Sequence, residues 1–402
     1  MVSVRTSNEI GKLTDKPKIL LGVTADESIV LMRGFAEHLS GTGWDVHVVS
    51  SPGPRSESLS KSAGLTVHTI PMNRNPSPFA DAKALLAWIC LLRAVSPDVI
   101  SVGTPKAGLL GGIAGLIARV PTRIYLLRGL RLETAYGLQR LVLTIVEMCS
   151  MAVSHRVLAV SSSLRQRAID LRLVGQAKVI VLGVGSSNGV DMGAHERSNF
   201  SEEELHTLSR SLGLLTNIPV VGFVGRLTKD KGLDVLTAAR LIMATKGERF
   251  QLLVVGEVDD KGGADVLSEL SQSTLPSIVT GYVSHPAIYF QLMDVLCLPT
   301  LREGFPNVVL EAAASGVPSV TTSATGAIDS VIDGETGLIA RVSSAPDLAD
   351  CLTRMISDST RCKDMGARAR AHVSANYARP LVWANTQRFY MDYHLERKRI
   401  DR

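Results

Sequence analysis

Short apolar runs alternate along this chain with stretches whose apolar residues recur every three or four positions. The runs at 19–23, 46–49, 97–102, 123–127, 157–160 and 179–182 are too short for helices and mostly apolar, so they read as strands of a buried sheet. Helical spacing between them, as at 31–39, predicts βαβ units and a parallel sheet. Gly183 to Asp191 is rich in glycine, serine and asparagine, and Glu202-Glu203-Glu204 then opens a polar helix. The pattern restarts at Pro219, with strands at 220–224, 251–255, 278–279, from Val295 and at 319–320. The chain therefore divides into an N-terminal α/β domain (1–190), a linker (191–218, with the hinge between Gly183 and Asn217), a second α/β domain (219–379) and a terminal helix (380–402). Each domain is expected to be Rossmann-like and doubly wound. No internal repeat or low-complexity segment appears.

Residues 84–92 are apolar nearly all round, which fits either a fully buried helix or one facing a membrane. Met1 to Lys18 is polar and lacks the apolar core of a signal peptide, and no stretch is long enough to span a bilayer. The five cysteines are odd in number and without CxxC spacing, and several sit in apolar runs, so they read as reduced core residues of a cytoplasmic protein. The net charge of +5 conceals an asymmetry: 21 Lys and Arg against 13 Asp and Glu through Asp191, then 22 against 25. The basic half suits an anionic membrane surface or a diphosphate better than nucleic acid, for which no aromatic-basic interleaving is present. Scattered solvated arginines would give the same count.

Two segments carry chemistry. In Arg302-Glu303-Gly304-Phe305-Pro306-Asn307-Val308-Val309-Leu310-Glu311, two carboxylates flank a turn that runs from a strand into a helix. The first amides of such a helix can bind an anion, and the acids can accept from hydroxyl groups. That combination fits a nucleotide sugar; a helix start with acids at the positive end of its dipole would look the same. In the second segment, Val220 to Gly225 is a strand, and Arg226-Leu227-Thr228-Lys229-Asp230-Lys231-Gly232 follows at its carboxyl end, where ligands bind in open α/β sheets. Arg226 and Lys231 suit a diphosphate, or form an ordinary solvated basic loop.

Together these segments resemble the retaining glycosyltransferases of family 4, which have the two-domain GT-B fold with an interdomain cleft. The likeness extends through Ala324-Thr325-Gly326, Asp329 and Asp333-Gly334-Glu335-Thr336-Gly337-Leu338. The N-terminal half is similar to the CapM-like branch, which builds capsule, O-antigen and exopolysaccharide. Gly103-Thr104-Pro105-Lys106-Ala107-Gly108, Arg128-Gly129-Leu130-Arg131 and Ser186-Ser187-Asn188-Gly189-Val190-Asp191 carry that likeness.

The resemblance implies that Arg226 and Lys231 hold the donor diphosphate, Glu311 accepts from the ribose hydroxyls and Glu303 contacts the transferred sugar. Gly225, Gly304, Phe305, Asn307 and Val308 line the donor, and Tyr282 and Val283 lie beside the base. Transfer would be front-face, with the departing phosphate oxygen taking the acceptor proton while domain closure excludes water. Many family members have a histidine where Arg128 stands and a His-x-His pair where Ser101 and Gly103 stand. Arginine cannot act as a base at neutral pH, so Arg128 would stabilise a diphosphate of donor or acceptor.

On the acceptor side, Thr104-Pro105 reads as an N-cap and first turn, with Lys106 as an anion site. Asp26 and Glu27, in the loop after the first strand, are placed to position an acceptor hydroxyl or are simply solvated. No metal-ligand spacing and no Asp-x-Asp occurs, so neither metal nor cofactor is expected. The implied function is transfer from a UDP-sugar to an undecaprenyl-diphosphate-linked sugar at the cytoplasmic face of the membrane, with the enzyme held peripherally. A soluble small-molecule acceptor, a non-hydrolysing UDP-sugar epimerase and a nucleotide-sugar-binding regulator are the alternatives. A dehydrogenase is disfavoured because Gly22-Val23-Thr24-Ala25 stands where a Gly-x-Gly-x-x-Gly turn would be needed.

Overall fold

A computed structural model describes residues 16–73, 77–272 and 275–400. The first sheet has seven strands: β1 (Lys18–Gly22), β2 (Asp45–Ser50), β3 (Leu65–Thr69), β4 (Val99–Gly103), β5 (Thr122–Leu127), β6 (Arg156–Ala159) and β7 (Val179–Ile180), ordered β3-β2-β1-β4-β5-β6-β7. The second has six: β8 (Val220–Val224), β9 (Gln251–Val255), β10 (Ser277–Val279), β11 (Val295–Leu298), β12 (Ser319–Thr322) and β13 (Gly337–Ala340), ordered β10-β9-β8-β11-β12-β13. Pairing is parallel, for example Leu20 opposite Ile100 and Val221 opposite Leu252. Strands of a parallel sheet are covered on both faces, which is why β4, β8, β9 and β11 are buried at every position. Strand order reverses between β1 and β4 in one sheet and between β8 and β11 in the other. Those reversals are the switch points at which such sheets bind ligands.

The described residues form two compact units that do not follow the linear boundaries expected from the sequence. One comprises residues 16–126, 145–158 and 386–400; the other comprises 127–144 and 159–385. The segments after β5 and β6 thus join the second unit. The terminal helix Arg379–Ile400 begins in the second unit, where the Trp383 indole donates to Asn188 Oδ1 at 2.8 Å, and ends in the first. There the Tyr390 and Ser101 hydroxyls lie 2.7 Å apart and Gln387 bonds His38 at 2.9 Å.

Four local expectations change. The helix expected at 31–39 is a 3₁₀ segment, Asp26–Met32, followed by the α-helix Phe35–Gly41. Residues 84–92 lie within the helix Pro78–Val95, which is not buried all round. It buries Ala84, Trp88, Leu92 and Val95 along one stripe, while Leu86 and Phe79 face outward. Trp88 lies on β1 because Gly22 presents no side chain; a Cβ there would come within 2.7 Å of the indole. Edge strands β3 and β13 are additions. Among the cysteines, Cys297, Cys351 and Cys362 are buried, whereas Cys90 and Cys149 are exposed. Among the described residues, no helix is long and apolar enough to cross a membrane.

Candidate active site

The loops leaving β8 and β11 run side by side at the switch point of the second sheet. Gly232, at a backbone φ of +69°, lets them touch: a Cβ there would lie 2.0 Å from the Pro299 carbonyl oxygen. The Leu301 amide donates to the Asp230 carbonyl at 2.8 Å, and the Thr300 hydroxyl donates to the same oxygen at 3.1 Å. Arg302 pairs with Asp230 at 2.6 Å and donates to the Thr134 hydroxyl at 2.8 Å. Burial acts to raise the Asp230 carboxyl, but the Thr228 hydroxyl and the Arg302 and Lys231 charges outweigh it and hold the group below its ordinary value. From this frame the Lys231 ammonium donates to Glu303 Oε1, both side chains being largely buried. The structure thus brings together two residues 72 positions apart that the sequence reading had assigned to one ligand.

The Glu303 loop is fixed from behind by backbone contact. A Cβ on Gly304 would sit 2.0 Å from the Arg128 carbonyl oxygen, and one on Gly326 would sit 2.3 Å from the Gly304 carbonyl oxygen. Gly129 faces the Gly304 amide in turn, so three glycines from three loops cross with no side chain between them. Hydrogen bonds close the crossing: Glu303 N to the Thr325 carbonyl at 2.8 Å, Ser161 Oγ to the Gly304 carbonyl at 2.8 Å, and Gly326 N to Ser163 Oγ at 2.7 Å. The Ser163 amide and hydroxyl both donate to Asp329. Glu133 Oε1 accepts from Thr325 at 2.8 Å and from Arg167 at 3.0 Å. Sequence reasoning had singled out Asp329 and Thr325 only within a motif, and had missed Ser161, Ser163 and Glu133. No local pattern marks a serine whose partner lies 166 residues away.

After Pro306 the helix Asn307–Ala314 begins, its first amides lacking intrahelical acceptors by geometry. The side-chain oxygen of Asn307 is buried without a hydrogen-bond partner among the described residues. Phe305 is buried against Tyr377, with ring centroids 5.3 Å apart, and anchors the turn. Val308 packs against the core of the unit. One turn on, burial pushes the Glu311 carboxyl above its ordinary range against the opposing field of Arg379. A half-buried acceptor held near a helix start suits a ligand that brings hydroxyl donors.

The remaining candidates in this unit lie around that centre. Gly225 adopts a φ of +147° and leads into Arg226, whose exposed guanidinium pairs with Asp259. Tyr282 and Val283 follow β10; Tyr282 is exposed and Val283 packs on the core. The Arg128 guanidinium donates to the Ser187 carbonyl at 3.2 Å and to its hydroxyl, which joins two motifs that the sequence showed only separately.

In the first unit the roles shift. Thr104 stands at the N-cap of the helix Pro105–Ile117, but its hydroxyl does not cap that helix. It accepts instead from the Thr24 amide at 3.0 Å and lies 2.7 Å from the Thr24 hydroxyl, which itself accepts from Ala107 N at 3.0 Å. The two threonines close the β1/β4 switch point. Lys106 pairs with Asp81 at 2.7 Å. Asp26 is buried, and its two oxygens accept from the Arg55 and Ser56 amides at 3.0 and 2.7 Å, so it caps the short helix Pro54–Leu59; Glu27 on the same turn is exposed. Asp26 is therefore a structural acid here, because the helix start needs both of its oxygens.

Residues 206–372 match the family model described as glycosyl transferases group 1, and residues 30–185 match the glycosyl transferase 4-like domain. The chain is 38% identical over 375 residues to the capsular polysaccharide biosynthesis glycosyltransferase CapM of Staphylococcus aureus, covering 93% of this chain and 96% of that protein. It is 24% identical over 294 residues to the UDP-Gal:alpha-D-GlcNAc-diphosphoundecaprenol alpha-1,3-galactosyltransferase of Escherichia coli, covering 71% and 73% of the two chains. Among solved structures, Anabaena HepE in complex with UDP and glucose superposes with a TM-score of 0.75 at 19% identity, covering 93% of this chain and 99% of that one. Sucrose-phosphate synthase of Thermosynechococcus elongatus superposes at 0.78 with 20% identity, covering 94% and 100%. Both share the fold.

Proposed function

The chain belongs to the CapM-like family of glycosyltransferases with the GT-B fold, and from that membership we propose that it moves a sugar from a UDP-linked donor, with retention, to a polyprenyl-diphosphate-linked sugar at the membrane face. The observation that carries this reading is the Lys231–Glu303 pair at the β8/β11 switch point, with the half-buried Glu311 on the helix that follows the Glu303 turn. A diphosphate would exchange with the carboxylates that now neutralise Lys231 and Arg226, taking two fixed cations as its counter-charge. Glu303, released from Lys231, would then accept from sugar hydroxyls, and Glu311 from the ribose diol. The buried oxygen of Asn307 gives the ligand a further acceptor at the helix start.

In the reaction, the bond from the anomeric carbon to the diphosphate breaks while the bond to the acceptor oxygen forms on the same face. The acceptor proton passes to the departing phosphate oxygen. Lys231 and Arg226 stabilise the charge that grows on that group. Support for the donor comes from the UDP held by HepE, and support for the acceptor from the diphosphoundecaprenol named for the E. coli relative.

The test is UDP release from a panel of UDP-sugars, with and without a short polyprenyl-diphosphate-sugar. Release from one donor only in the presence of the lipid acceptor is the expected result. Turnover of UDP-GlcNAc without acceptor would replace the proposal by an epimerase, and release with a water-soluble acceptor alone would replace the lipid.

A further inference from the structure

The helix Gly137–Val153 is built the wrong way round for a soluble protein. Its only acid, Glu147, is buried together with Ser150 and Met151. Outward it presents Leu138 (75% exposed), Leu141 (55%), Val142, Ile145 (52%) and Met148 (45%). At about 100° per residue these positions, with Cys149 and Ala152, fall within an arc of about 120° that contains no polar side chain. Tyr136, just before the helix, is 82% exposed. Scattered apolar residues on a surface need no explanation, but a continuous stripe over four turns does.

The charge around it is one-sided. Between residues 101 and 169, nine Lys and Arg stand against two acids, Glu133 and Glu147. One of those acids is bonded to Arg167 and Thr325 and the other is buried, so neither offsets the field. Arg140 is exposed on the helix itself. At its far end Val153 packs where Gly112 leaves room, and the Arg123 guanidinium donates to the Val153 carbonyl at 2.9 Å. The neighbouring helix Pro105–Ile117 ends with exposed Leu116, Ile117 and then Arg119.

We propose that the outward face of the helix Gly137–Val153 docks on an anionic phospholipid surface, lying in the interface with its apolar stripe among the acyl chains and the flanking arginines at the headgroups. A second copy of the chain fits less well, because a two-fold contact would set this basic surround against itself. The inference deepens the membrane placement proposed above, yet it stands on exposure and charge and does not require the donor or acceptor to be as assigned.

The experiment is co-sedimentation of the full chain with phosphatidylcholine vesicles prepared with and without phosphatidylglycerol. Wild type is expected to bind the anionic vesicles, less so at high salt. The triple variant Leu138→Gln/Leu141→Gln/Ile145→Gln should lower partitioning by about tenfold or more, and Arg119→Glu/Arg140→Glu should weaken binding to anionic vesicles while leaving neutral ones little changed. Because every substituted side chain is exposed, circular dichroism should show wild-type folding. Wild type that ignores anionic vesicles, or a triple variant that binds as wild type does, overturns the proposal. A wild-type dimer that the triple variant disperses, without lipid binding, assigns the face to a second copy and overturns it as well. Vesicle binding with no turnover of any UDP-sugar would leave docking intact and remove the transfer reading; turnover without vesicle binding would do the reverse.

Discussion

Glu147 offers a quantitative test of the helix on which it lies. Its carboxyl is buried and accepts a hydrogen bond from the Tyr125 hydroxyl at 2.9 Å. Burial raises it from an ordinary 4.5 to about 7, and the Tyr125 bond opposes that only in part. Below 4.5 the group is protonated in both folded and unfolded chains and does not affect their balance. Between 4.5 and about 7 the unfolded chain ionises while the folded chain keeps its proton, so stability falls as pH rises, and it levels off above the folded value. At about 1.36 kcal/mol per pH unit, that window corresponds to a loss of about 3 kcal/mol. Glu147→Gln preserves size and the acceptor for Tyr125 but has no charge to expel. Urea denaturation of both proteins across the window, compared as a difference, cancels every other titrating group. The variant should match wild type at acid pH and exceed it by about 2–3 kcal/mol near pH 8. A difference that does not change with pH would refute the buried, protonated acid and with it the orientation of the whole helix.

Three further outcomes test the site. Glu303→Ala should lower transfer by about a hundredfold or more while sparing UDP affinity, whereas Lys231→Ala should weaken UDP by about tenfold or more, read by calorimetry; equal loss of affinity in both would remove the sugar-contact role from Glu303. Glu311→Ala should weaken UDP yet leave binding of inorganic diphosphate unchanged, since its partner is the ribose. Gly304→Ala places a methyl group against the Arg128 carbonyl and should cost about 2–3 kcal/mol of unfolding free energy, together with most activity; wild-type stability would mean that the glycine crossing is looser than described.

The sequence disclosed most readily what is periodic and apolar. Strands such as 251–255 appear where the run places them, because a strand buried on both faces leaves no choice of residue. Strand β3, Leu65–Thr69, escaped notice because its alternation of polar residues at a half-exposed edge resembles a loop. Glu303 and Lys231 stand out separately in the sequence, and they meet because each follows a strand end and strand ends at a switch point converge. Thr104 and Asp26 have hydrogen-bond partners that the sequence does not show, because each partner lies 80 or about 30 positions away. The outward face of the helix Gly137–Val153 was overlooked because an apolar stripe reads as core until burial shows which side is wet.

The glycine crossing bears on how such enzymes can be recombined. Gly129 precedes the linker at 191–218 and Gly304 follows it, yet the two backbones meet with no room for a methyl group. A chimera that takes its N-terminal half from one relative and its C-terminal half from another, spliced at the linker, would join two loops that were never fitted to each other. Donor specificity should therefore transplant cleanly only when residues 127–144 and 159–190 travel with the donor half, so the natural seam for exchange is the packing boundary rather than the linker.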